Sequence, residues 1–61
     1  MSNKWLEPGT RVVVGEDIPG TIDRVIFCRD SAPPLYAVEW WNNGDLICRE
    51  FHAADVVPAQ R

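Results

Sequence analysis

Apolar and polar positions alternate with a period near two along most of the chain, and the alternation breaks wherever glycine, proline, asparagine or aspartate cluster. That pattern predicts strands joined by turns. Thr10 to Val14 (TRVVV) is β-branched and follows Pro8-Gly9, which places a strand directly after a turn. Gly15 to Gly20 is then expected as a loop. From Thr21 to Cys28 (TIDRVIFC) the alternation is imperfect, with Ile22, Ile26 and Cys28 on one face and Val25 and Phe27 on the other. A bent or bulged strand serving two faces is expected there. Arg29 to Pro34 (RDSAPP) contains turn formers and two prolines, which donate nothing to a ladder, and reads as a second loop.

In Leu35 to Trp41 the period sets Tyr36, Val38 and Trp40 on one face and Ala37, Glu39 and Trp41 on the other. The face carrying Glu39 is expected to meet water. Asn42-Asn43-Gly44-Asp45 tolerates positive φ and is the strongest hairpin signal in the chain, so Leu46 to Phe51 returns as the partner strand. That strand divides into Leu46, Cys48, Glu50 and Ile47, Arg49, Phe51. His52 to Asp55 is long enough for one tight helical turn before Val56-Val57, a last short strand that Pro58 ends. Together these elements predict an all-β fold: a single small five-stranded barrel, closed on itself, with a one-turn 3-10 helix before the last strand. The expected core is Val12, Val14, Ile22, Ile26, Val38, Trp40, Ile47 or Cys48, Phe51 and Val56.

Size limits what such a barrel can do. Its 61 residues allow one domain, with the barrel in residues 8–57 and short flexible ends, because so short a chain buries only about 60% of its unfolded surface. No apolar run reaches the roughly 20 residues that cross a bilayer, and MSNKWLEPG lacks the apolar centre of a signal peptide, so a cytoplasmic protein without a membrane partner is expected. Nine acidic against six basic side chains give a net charge of −3, which disfavours tight sequence-independent binding to phosphate backbones. Cys28 and Cys48 are expected as reduced, partly buried thiols. Cys48 and His52 are four residues apart, but a structural zinc site wants four ligands, commonly with closely paired cysteines, so no metal is expected.

Several stretches resemble those of Src-homology-3-like (SH3-like) barrels: PGTRVVV, GTI, YAVEWWNNGD and FHAADVV, spanning residues 8–57. Three kinds of relative are implied. GTI, YAVE and the pair Ala53-Ala54 resemble the type II, plasmid-encoded dihydrofolate reductases. The strand of that family that lines a tetramer pore corresponds here to Leu46 to Arg49, which has neither its glutamine nor its tyrosine. RVVV, GTI, YAVEW and the FxxxDV ending resemble small accessory barrels of electron-transfer and metal enzymes, which dock without chemistry of their own. Tyr36-x-Val38-x-Trp40 ahead of the Asn43-Gly44 turn resembles Tudor and KOW domains, a likeness that implies aromatic walls from Tyr36 and a tryptophan.

Candidate chemistry is sparse. His52 is the only histidine and has no serine or cysteine at a recognisable nucleophile turn, so capping of the short helix is its expected role. Asp45 and Asp55 suit a turn and a cap, and Gly9, Gly15 and Gly20 lack the spacing and the Lys-Ser/Thr of a phosphate loop. No catalytic residue and no cofactor are therefore expected. The adjacent tryptophans must point opposite ways, with Trp40 in the core and Trp41 beside Glu39 and Arg49. Trp41 there is either an interface anchor or a lid against Arg49 or Trp5. The first expectation is a non-enzymatic binding or accessory module that contacts a protein partner, or itself, through Trp41, Glu39, Arg49, Tyr36 and Trp5. The alternatives are a nucleic-acid-binding barrel, with Trp41 stacking a base and Arg24, Arg29 and Arg49 meeting phosphates, and a relative of the type II reductases.

Overall fold

In the computed structural model, which describes residues 5–29 and 33–59, the chain forms five antiparallel strands and one helical turn. They are β1 (Arg11–Val14), β2 (Ile18–Ile26), β3 (Leu35–Asn42), β4 (Asp45–His52), the 3-10 turn η1 (Ala53–Asp55) and β5 (Val56–Pro58). The strand number, the antiparallel hairpin and the single turn of helix ahead of the last strand are as the sequence predicts. The stretch Arg29 to Pro34 lies partly outside the described residues, as do parts of both ends.

Closure is not observed. The sheet has the open order β4-β3-β2-β1-β5, so β4 and β5 are free edges. Ile18 to Gly20, expected in a loop, belongs to β2 and pairs with Val12 to Val14. β2 meets β3 only from Thr21 onward, so Pro19 sits where the strand has a single neighbour, a position that tolerates a missing donor. Gly20 is required for space: a Cβ there would lie 2.7 Å from Val38 Cγ1 and 2.9 Å from the Glu39 carbonyl oxygen.

The irregularity expected in β2 is a bulge at Asp23. Ile22 pairs with Val38 and Val25 with Tyr36, whereas Arg24 pairs with Ala37 and Ile26 with Leu35. Residues paired across an antiparallel ladder share a face, so the extra residue turns Val25 inward and Ile26 outward. This corrects the expected core: Val25 packs against it and Ile26 does not. The buried cluster is Val12, Val14, Ile22, Tyr36, Val38 and Val56, flanked by the partly buried Leu6, Ile18, Val25, Trp40, Phe51 and Ala53. Of the alternatives at the β4 position, Ile47 is partly buried and Cys48 exposed. The Trp40 and Phe51 rings meet at 6.0 Å between centroids with their planes tilted by 46°.

The segment before β1 lies against this core. The Leu6 N–H donates to Tyr36 Oη at 3.0 Å, the Gly9 N–H to the Ile22 carbonyl at 2.8 Å and the Ile22 N–H to the Thr10 carbonyl at 3.0 Å. Tyr36 is thereby 2% exposed, with its one polar atom satisfied.

Candidate interaction surface

The hairpin β3–β4 sets the geometry of every candidate residue except Trp5. Asn43 and Gly44 have φ of 53° and 87°, the positive values a two-residue type I′ turn demands, and Asn42 faces Asp45 across it. Eight pairs run without a break from there to Leu35–His52. Trp41 accordingly faces Leu46, Glu39 faces Cys48 and Ala37 faces Glu50 on the outer side, where Ala37 is fully buried, so the face expected to meet water does so only toward its Trp41 end. On the core side Trp40 faces Ile47, Val38 faces Arg49 and Tyr36 faces Phe51.

This register divides the residues singled out from the sequence. Trp41 and Glu39 do share the outer face, and Trp41 is 70% exposed. Arg49 lies on the opposite side of the sheet, with Trp40 and Ile47, which corrects its expected place beside Trp41 and Glu39. Tyr36 is buried under the N-terminal segment and cannot present its ring as the wall of an open aromatic site. Trp5 lines a separate groove of about 450 Å³ with Leu6, Pro8, Arg24, Val25 and Phe27, near the start of β3, whereas Trp41 is near its end. A lid formed by Trp5 on Trp41 is therefore not built, and Trp41 makes no ring or cation–π contact among the described residues.

Leu46 was missed. It is 52% exposed and directly opposite Trp41, so the two form one apolar patch on the outer face. Counting back across a two-residue Asn43-Gly44 turn would have found it, because that count fixes the partner of Trp41. Around the tip of the hairpin, Trp40, Trp41, Asn42, Ile47 and Arg49 face Asp17 in the β1–β2 turn and Ile18 and Pro19 at the start of β2 across a shallow groove of about 500 Å³. Trp41 and Arg49 thus border the same groove from opposite faces of the hairpin.

The remaining chemical groups are scattered. Cys28 and Cys48 are free and exposed, not partly buried as expected. Cys48 and His52 share a face of β4, but four residues of strand separate their Cα atoms by about 13 Å, too far for one metal ion. His52 extends the strand and makes no side-chain cap to η1. The arginines do not converge on Trp41: Arg24 is on the outer face, 3.8 Å from Asp23, Arg49 is on the core side, and Arg29 is in the loop after β2. No helix among the described residues is long and apolar enough to cross a membrane. No family model matches the chain, nor does any curated protein or solved structure.

Proposed function

We infer that the protein is a small, non-enzymatic cytoplasmic docking module that binds a protein surface through the outer end of its central hairpin. The observation carrying this reading is the pair Trp41–Leu46, a large rigid ring and an aliphatic side chain left in water on one face of a well-paired hairpin. Such an anchor offers much apolar area at small entropic cost, which is why tryptophan is enriched among residues that dominate binding energy. Glu39, two residues from Trp41 on the same face, borders the patch and supplies a polar edge. The dispersal of the arginines and the net charge of −3 favour this reading over nucleic-acid binding.

The test compares proteins retained from host lysate by immobilised wild type, Trp41→Ala, Leu46→Ala and Phe27→Ala. Phe27 is the control because it is 67% exposed yet lies outside the patch, beside the Trp5 groove. Loss of the same retained band with Trp41→Ala and Leu46→Ala alone, and its persistence in added salt, are expected. Equal retention by all four proteins would sink the reading, and a steep loss with salt would point to phosphate contacts instead.

A further inference from the structure

The outer edge of β4 is open along eight residues, and its side chains are arranged to match a second copy of themselves. A type I′ turn makes Asn42–Asp45 a hydrogen-bonded pair, and every second pair beyond it repeats the pattern. Asp45, Ile47, Arg49 and Phe51 therefore direct their N–H and C=O groups to β3, while Leu46, Cys48 and Glu50 direct theirs away from the sheet. Among the described residues, β4 makes no backbone hydrogen bond outside its ladder with β3. It has no bulge, proline or lysine, although Asp45, Arg49 and Glu50 place charges on the edge that a partner strand has to match. The other edge, β5, has three residues and ends in Pro58.

Two copies related by a two-fold axis perpendicular to the sheet keep core face beside core face, so paired residues must come from the same face and the axis must pass through a residue pair. An axis at Arg49 or Glu50 opposes like charges, and one at Cys48 sets Leu46 against Glu50 and Ile47 against Arg49. An axis at Leu46 engages only the tip of the hairpin. At Ile47 all the requirements are met. Ile47 faces Ile47 of the second copy, and on either side Asp45 faces Arg49. On the outer face Leu46 faces Cys48, and the backbone groups that meet are those of Leu46 and Cys48, which point outward. Neither Asp45 nor Arg49 has an ion-pair partner among the described residues of its own chain.

We propose that the partner of the hairpin is a second copy of this chain, joined through antiparallel β4–β4 pairing centred on Ile47, with two Asp45–Arg49 ion pairs and the two Trp41–Leu46 patches along the seam. The proposal rests on the reading of Trp41–Leu46 as a contact surface and specifies its occupant. The paired strands supply main-chain hydrogen bonds and so affinity, as in β-strand addition generally, while the charges set the register.

Sedimentation of the whole chain over a concentration series is the test, with far-UV circular dichroism confirming that each variant is folded. Wild type should dimerise. Asp45→Arg and Arg49→Asp should each weaken the dimer about tenfold or more, because each sets like charges together twice, and the double variant should recover most of that loss. In a Cys28→Ser, Cys48→Ser background, Ile47→Cys should oxidise to a covalent dimer, because directly opposed residues of a non-hydrogen-bonded pair have Cα atoms about 4.5 Å apart. Wild-type Cys48 should not cross-link within the dimer, since this register holds its two Cα atoms about 8 Å apart. A ready Cys48 disulfide, or single charge reversals as harmful as the double, would overturn the register. A monomer at every concentration overturns self-pairing and leaves the docking surface to its own test with Trp41→Ala and Leu46→Ala. A dimer lost on Trp41→Ala but indifferent to the charge variants also overturns the edge pairing, and supports the patch alone.

Discussion

The two adjacent tryptophans should differ sharply when each is cut back to alanine. Deleting a fully buried tryptophan side chain costs about 3–5 kcal/mol. Trp40 is partly buried, packs against the core cluster and meets Phe51 at 6.0 Å. Scaling the burial term by about half and adding an aromatic pair of about 0.5–1.5 kcal/mol gives roughly 2–4 kcal/mol for Trp40→Ala. Trp41 is 70% exposed, and its paired neighbour on the outer face is Leu46. Its removal forfeits a cross-strand contact of about 0.2–1 kcal/mol. In a domain of this size 1 kcal/mol moves the melting temperature by roughly 4–8 °C, so losses of about 8–32 °C for Trp40→Ala and about 8 °C or less for Trp41→Ala are expected. Far-UV circular dichroism is the suitable probe, because both variants remove a fluorophore, and dilute protein keeps self-association out of the comparison. Equal losses, or a larger loss at Trp41, would refute the strand phase on which the candidate surface depends.

Gly20→Ala should destabilise by about 1–3 kcal/mol, because the new methyl must displace Val38 Cγ1 and the Glu39 carbonyl. Adding Val38→Ala should recover part of that penalty in a double-mutant cycle, and strict additivity would show that the contact with Val38 is not its source and leave the Glu39 carbonyl. Tyr36→Phe removes the acceptor of the Leu6 N–H and should cost about 0.5–1.5 kcal/mol. Hydrogen exchange at the Leu6 amide should quicken, and unchanged protection there would rule the bond out. Replacing both exposed cysteines by serine should leave stability within about 0.5 kcal/mol of wild type, and reducing agent should leave the unfolding midpoint of wild type unmoved.

Local chemistry in the sequence determined the kinds of element and most of their order. β-branched runs, the Asn43-Gly44 turn and the prolines specify strands and their ends through residue-level preferences, and the period of two assigns Val38 and Trp40 to one face without knowledge of any partner. Thus Val12, Val14, Ile22, Val38 and Val56 were legible as core. What concerns two strands at once was not legible. Whether Val25 or Ile26 turns inward depends on a bulge at Asp23, and a single inserted residue reverses every later side chain while leaving the local pattern of the strand unchanged. Arg49 left the side of Trp41, and Leu46 joined it, through cross-strand register, which is fixed by the turn and the whole ladder. Tyr36 is closed off by a hydrogen bond to Leu6, thirty residues away in sequence. The open edge of β4 is a property of the sheet order, decided by which strands meet once the chain has folded, since each strand alone carries the same unpaired backbone groups.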